Sequence, residues 1–197
     1  MCQIVQAMSD AELLGMLVGT KTAVRMLKDA DGSLSAVLNE SVATYGPEPK
    51  VKTKLQVAKE LVRRSLLETL RHGNALNSPS SVREYLRITL AGREHEVFMV
   101  LFLDAQNRVI ESEELFRGTL TQTSVYPREV VKRSLFNNAA AVIFAHNHPS
   151  GVAEPSHADE LLTQSLKQAL ALVDVRVLDH FVVAGSGVMS FAERGLL

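Results

Sequence analysis

This chain of 197 residues has almost no cysteine and no long apolar run. Its formal net charge is only −1. Cys2 is the single cysteine, which excludes both an intrachain disulfide and a cysteine-based zinc site. The longest apolar runs, Val97–Leu103 and residues 139–145, have seven residues each, whereas a membrane-spanning helix needs about 18. The first residues show neither the basic segment nor the apolar core of a signal peptide. We therefore expect a cytoplasmic protein without a membrane segment.

Charge is balanced overall, with 21 Lys and Arg against 22 Asp and Glu, which excludes a globally basic nucleic-acid binder. Residues 50–71 are the exception, because they carry seven basic and two acidic side chains. Apolar residues recur in this segment at steps of three and four, which predicts an amphipathic helix with its charges on the other faces. The stripe consists of Val51, Leu55, Ala58, Val62 and Leu66. Weak DNA binding through residues 50–71 is the most that we expect.

Two kinds of sequence pattern follow each other along the chain. Residues 1–71 predict a small all-helical domain, opened by the capping-box pattern of Ser9 and Glu12. Residues 72–197 predict an α/β domain, a mixed sheet flanked by helices. Its predicted elements are a hairpin of Val97–Leu103 with residues 108–114, a β-rich segment 119–125, a helix from Pro127, a buried strand 140–145, a helix 156–172 and a closing hairpin 175–191.

A group of candidate metal ligands follows the buried strand. The alternation of a strand places His146 and His148 on one face, and Asp159 lies in the first turn of the next helix. Two imidazoles and one carboxylate leave a position for water, as in open catalytic zinc sites, although manganese or iron also accepts such ligands. Ser156 and Asp159 also fit a helix-capping pair. We expect His157 to face solvent and His180 to be a hydrogen-bonded strand residue.

Other hydrolase and nucleotide-binding motifs are absent from the sequence. It contains no H-E-x-x-H pair of metalloproteases and no P-C-x-x-C segment of zinc deaminases. It also lacks the G-x-S-x-G turn of serine hydrolases and the G-x-x-x-x-G-K-[ST] loop of nucleotide-binding proteins. The functional hypothesis therefore rests on His146, His148 and Asp159.

The pattern His146-x-His148-x7-Ser156-x2-Asp159 resembles the metal motif of JAB/MPN-type (JAMM) metallohydrolases. Residues 93–197 resemble the bacterial RadC family. Asn147 supports this resemblance, because eukaryotic JAB proteins usually carry Ser or Thr at that position. The segments that carry this resemblance are residues 114–120, 125–129, 146–151 and 190–195. The resemblance implies a JAB/MPN-like fold, one zinc ion per chain and hydrolysis of an amide or isopeptide bond in a protein or peptide.

The same resemblance assigns two catalytic roles. Glu96 matches the glutamate that faces the attacking water, with Glu94 as the alternative and with Glu113 and Glu114 as weaker matches. Ser156 matches the residue that stabilises the oxyanion. These roles are expectations that rest on the family motif.

The N-terminal third resembles the helix-hairpin-helix region of RadC proteins less closely. The hairpin segment, residues 45–51, retains one glycine and contains two prolines. Glycine N–H groups bind DNA phosphates in such hairpins, so these changes remove donors. The alternative functions are a DNA-repair-associated DNA-binding protein or metal-dependent nuclease, and an interaction module whose metal site is structural or vestigial.

Overall fold

The structure is a computed structural model that describes residues 5–39, 49–118 and 125–197. The chain divides into two compact units, Met1–Val62 and Arg63–Leu197, and the division falls within a long helix, Pro49–His72. The domain boundary expected after residue 71 stays a prediction. Most of the expected hairpin 45–51 and of the β-rich segment 119–125 lies outside the described residues.

The first unit is helical, as the sequence predicts. Its helices are α1 (Asp10–Val18), α2 (Thr20–Asp29), α3 (Leu34–Asn39) and the first part of α4 (Pro49–His72). Ser9 caps α1, and the side chain of Glu12 accepts a hydrogen bond from the Ser9 N–H in return. Gly19 separates α1 from α2 with φ of +90°, a conformation that favours glycine. The buried core consists of Leu14, Val18, Ala23, Met26, Ala30, Val37, Val51 and Leu55.

The apolar stripe of α4 is not buried along its whole length. Val51 and Leu55 are buried in the first unit, whereas the side chain of Val62 is 51% exposed. Leu66, Leu67 and Leu70 then belong to the core of the second unit. The apolar residues of α4 therefore contribute to two separate cores, and Val62 belongs to neither.

The second unit is built on a five-stranded mixed sheet in the order β2-β1-β3-β4-β5. The β3–β4 pair is parallel and the other pairs are antiparallel. The strands are β1 (Val97–Leu103), β2 (Val109–Arg117), β3 (Ala141–Asn147), β4 (Arg176–Ala184) and β5 (Gly187–Ser190). The helices are α5 (Pro79–Leu90), α6 (Pro127–Phe136), α7 (His157–Ala171) and α8 (Phe191–Arg194), with a 3-10 turn at Ala75–Asn77.

Helices cover both faces of this sheet. Alternate residues of β1 and β3 point to opposite faces, and both strands are fully buried. One face packs against α5 and the end of α4, and the other packs against α6 and α7. This confirms the predicted mixed α/β fold with flanking helices. Within the described ranges, no helix is both long and apolar enough to cross a membrane.

Candidate metal centre

Strand β3 carries His146, and His148 follows it directly. Both imidazoles lie on the sheet face that packs against α6 and α7. The side chain of His146 is 1% exposed and that of His148 is 19% exposed. The His148 N–H donates a backbone hydrogen bond to the Val183 carbonyl, which continues the parallel pairing beyond the strand end. The sheet therefore fixes the backbone of both histidines.

Asp159 reaches the histidines from the first turn of α7. Ser156 caps this helix, and its hydroxyl oxygen accepts from the Asp159 N–H. In return the Asp159 Oδ2 accepts from the Ser156 N–H at 2.7 Å and from the Ser156 hydroxyl at 2.6 Å. The capping box holds the carboxylate in one orientation, with Oδ1 turned towards His146 and Oδ2 towards His148.

The three side chains converge on one point. The two Nε2 atoms of His146 and His148 lie 2.9 Å apart. Asp159 Oδ1 lies 3.4 Å from the first and Oδ2 3.5 Å from the second. One ligand atom from each residue lies within 4.8 Å of the other two, so the group can hold a metal ion. The structure thus brings together the three residues that the sequence proposes as ligands.

The electrostatics of the group favour a bound positive charge. Burial raises the pKa of Asp159, but its interactions with His146 and His148 outweigh that effect and leave the pKa well below its ordinary value. The pKa of His148 is raised, mainly by its hydrogen bond to Asp159 and further by the charges of Asp159 and Glu96. An ionised carboxylate beside two imidazoles binds a proton or a metal cation at the same place.

His180 lies directly behind His146. Its Nε2 is 2.8 Å from His146 Nδ1, and its Nδ1 is 2.7 Å from the hydroxyl oxygen of Thr163. Burial, and then the neighbouring His146, lowers the pKa of His180 well below its ordinary value, so this imidazole is neutral. His180 is therefore the hydrogen-bonded strand residue that the sequence predicts.

Glu96 precedes β1 by one residue. In the antiparallel pairing of β1 with β3, Phe98 lies opposite His146, and continuing this register places Glu96 opposite His148. Glu96 is half-buried, and its negative charge contributes to the raised pKa of His148. The alternative, Glu94, is exposed.

The remaining candidates from the sequence lie in other surroundings. Glu113 is hydrogen-bonded to Arg133 at 2.8 Å and to Asn137 at 3.1 Å, and Glu114 pairs with Arg93. The side chain of His157 is 81% exposed, as expected. Sequence reasoning missed Thr163. Thr163 lies four residues after Asp159, which places it one helical turn further on the same face of α7. This spacing was the sequence feature that could have identified Thr163 as a neighbour of the metal ligands.

Comparisons with known proteins find matches over most of this chain. Residues 76–196 match the family model described as RadC-like JAB domain. A UPF0758 protein of Nitrosomonas eutropha is 58% identical over 201 residues, which cover 96% of this chain and 90% of the relative. UPF0758 proteins of Nitrosospira multiformis and Nitrosomonas europaea are each 56% identical to this chain. The first alignment covers 96% of this chain and the second 97%, and each covers 90% of the relative. The chain therefore belongs to the RadC-like JAB domain family.

Proposed function

We propose that this chain is a metal-dependent hydrolase that cleaves an amide or isopeptide bond in a protein or peptide. The observation that carries the proposal is the convergence of two imidazole Nε2 atoms and an ionised carboxylate. Glu96, a candidate base, comes immediately before the neighbouring strand β1, and the continued register places it opposite His148. A structural metal site has no need of that adjacent carboxylate.

The donor set fits zinc. Nitrogen ligands from His146 and His148 with one oxygen ligand from Asp159 match three-ligand catalytic zinc sites, which keep a fourth position for water. The hydrogen-bond pattern supports this fit, because His148 Nδ1 lies 2.9 Å from the Val152 carbonyl oxygen and must carry a hydrogen. In the neutral imidazole, Nε2 therefore has the lone pair that a metal requires. Manganese and iron accept the same ligands.

Each remaining residue has a role that follows from its position. A zinc ion held by His146, His148 and Asp159 would supply Lewis acidity and would lower the pKa of water to about 7. Glu96 accepts the proton of the attacking water and returns it to the leaving amine. Ser156 holds Asp159 through the capping box, and its hydroxyl stabilises the oxyanion only after exchanging its bond to Asp159 for one to substrate.

The test of this proposal is metal-dependent cleavage of a panel of peptide and isopeptide substrates. We expect that removing metal with a chelator abolishes cleavage, that added zinc restores it, and that His148→Ala is inactive under both conditions. His157→Ala is the matched control, because that imidazole is exposed to solvent. Cleavage by the His148→Ala variant at the wild-type rate would refute the proposal.

A second candidate function, DNA binding by the helical unit, has one supporting observation. Lys50, Lys52 and Lys54 are exposed on the first two turns of α4. Arg63 supports it less, because its guanidinium donates to the Tyr85 hydroxyl. Three lysines predict a weak, salt-sensitive affinity that is independent of base sequence.

A further inference from the structure

The hydroxyl of Thr163 has two acceptors and one hydrogen. Its oxygen lies 2.6 Å from the Asp159 carbonyl oxygen and 2.7 Å from His180 Nδ1. A hydroxyl donates one hydrogen bond at a time, so it donates either to the carbonyl or to the imidazole. This choice determines where the hydrogens lie on His180 and on His146.

In the first arrangement the Thr163 hydroxyl donates to the Asp159 carbonyl. His180 Nδ1 then donates to Thr163, and His180 Nε2 accepts from Nδ1 of His146. His146 therefore has a lone pair on Nε2, which faces the lone pair on Nε2 of His148 at 2.9 Å. Two lone pairs repel each other at that distance unless a cation lies between them, so this arrangement suits bound metal.

In the second arrangement the Thr163 hydroxyl donates to His180 Nδ1. His180 Nε2 then donates to His146 Nδ1, and His146 Nε2 donates to the lone pair of His148. The three contacts that run from Thr163 through His180 and His146 to His148 each join one donor to one acceptor without a cation, while the Thr163 hydroxyl gives up its hydrogen bond to the Asp159 carbonyl. His146 has no lone pair for a metal in this state. The second arrangement therefore suits the metal-free protein.

We propose that Thr163 and His180 are positioning residues that set the tautomer of His146, and that metal binding reverses their hydrogen-bond direction. This inference rests on the metal binding of the proposed function. Both imidazoles keep one hydrogen each in both states, so the reversal changes the positions of the hydrogens and leaves their number unchanged. A metal-ligating histidine is commonly oriented through its other nitrogen, and here the orienting group is itself reversible.

Packing restricts the change to hydrogens, because the ring of His180 is held on several sides. The Phe191 ring is stacked on it with centroids 4.7 Å apart and planes at 21°. The rings of Phe98 and Phe144 contact it edge-on at 5.6 and 5.8 Å.

The segment that carries Phe191 is held in place by hydrogen bonds to Asp179. Asp179 accepts from the Ser190 hydroxyl at 2.6 Å and from the Ala192 N–H at 3.0 Å, on either side of Phe191. Residues 190–195 therefore hold the His180 imidazole, which orients His146. The same segment is one of those that carry the resemblance to RadC proteins.

The first experiment measures zinc affinity by competition with a chelator in three proteins: wild type, Thr163→Val and Thr163→Ser. Valine has nearly the shape of threonine but no hydroxyl, so we expect Thr163→Val to weaken zinc binding about 10- to 100-fold. Serine retains the hydroxyl, so Thr163→Ser is expected to restore affinity to near the wild-type value. Equal affinity of the valine variant and the wild type would overturn the inference.

The second experiment needs no variant. Long-range nitrogen–hydrogen correlation NMR on the full chain reports which nitrogen of each imidazole carries hydrogen. We expect the hydrogens of His146 and His180 to be on Nε2 without metal and on Nδ1 with zinc, while His148 keeps its hydrogen on Nδ1. Zinc binding with unchanged tautomers would overturn this inference alone, whereas failure of the wild type to bind zinc, manganese or iron would overturn the proposed function.

Discussion

The side-chain amide of Asn147 holds the two peptide groups on either side of Glu96. Its Oδ1 accepts from the Val97 N–H at 2.8 Å, and its Nδ2 donates to the His95 carbonyl at 3.1 Å. Asn147 is 3% exposed and lies between His146 and His148 in the chain. One residue of β3 thus ties the histidine pair to the segment that carries the candidate base.

Replacing Asn147 with Ala is expected to separate the positioning of Glu96 from the binding of metal by the histidines. The variant leaves a buried N–H and a carbonyl without their partner, which costs about 1–3 kcal/mol for an unsatisfied buried group. We expect a lower melting temperature and reduced cleavage, with zinc affinity close to that of the wild type. If Asn147→Ala loses zinc as completely as His148→Ala does, the amide acts on the histidines and not on Glu96.

Glu96→Gln is expected to abolish catalysis without removing metal. Glutamine keeps the size of the side chain but cannot accept the proton of water, and loss of a general base costs about 10²- to 10⁴-fold in rate. The matched control is Glu94→Gln, because Glu94 is exposed two residues earlier. Measured zinc content and initial rates of peptide cleavage distinguish the two variants. A rate loss in Glu94→Gln alone would move the base to Glu94.

Ser156→Ala is expected to lower both stability and zinc affinity. Loss of a capping side chain costs about 1 kcal/mol, and Asp159 also loses the hydroxyl that orients its carboxylate. Ser9→Ala is the matched control, since it removes an equivalent capping box from α1 without a metal ligand nearby. We expect a 10-fold or greater loss of zinc affinity for Ser156→Ala and none for Ser9→Ala. Equal zinc affinity in all three proteins would contradict this prediction.

The ion pair of Glu113 with Arg133 is expected to make folding stability depend on pH. Hydrogen bonds from Arg133 lower the pKa of Glu113 below its ordinary value of 4.5. A carboxylate of this kind stabilises the fold above its unfolded pKa, and the contribution is lost as the pH falls through its folded pKa. Glu113→Gln should therefore reduce stability at neutral pH and show a smaller further loss in acid.

Urea unfolding at neutral and acidic pH measures that difference. Glu111→Gln is the control on the same strand, because Glu111 pairs with Arg71 at an exposed position where ion pairs contribute little. The prediction fails if the two glutamine variants show the same dependence of stability on pH.

DNA binding, if the helical unit provides it, must respond to salt and to the lysines of α4. A DNA titration at two salt concentrations is expected to give a weak affinity with a log–log slope of about −0.9 per phosphate neutralised. Changing Lys50 and Lys54 to Glu should abolish binding. Lys132→Glu is the control, since that lysine is exposed on α6. Tight binding that ignores salt and these substitutions would place the DNA surface elsewhere.

Local patterns were sufficient to predict the framework of the candidate site. The alternation of a buried strand placed His146 and His148 on one face, and a capping pattern placed Asp159 in the first turn of α7. The relation of Thr163 to His180 was not predictable, because it joins a helix and a strand through the packing of the whole unit. Periodicity likewise identified the apolar face of α4 but not which part of that face a core covers, and Val62 on that face is exposed.

Zinc content after equilibrium dialysis tests the central claim most directly. We predict one zinc ion per chain for the wild type and none for a His146→Ala/Asp159→Ala double variant, because a single imidazole and water hold zinc poorly. His157→Ala serves as the control and should retain the full zinc content, since that side chain is exposed. Full zinc occupancy in the folded double variant would contradict the assignment of the metal centre.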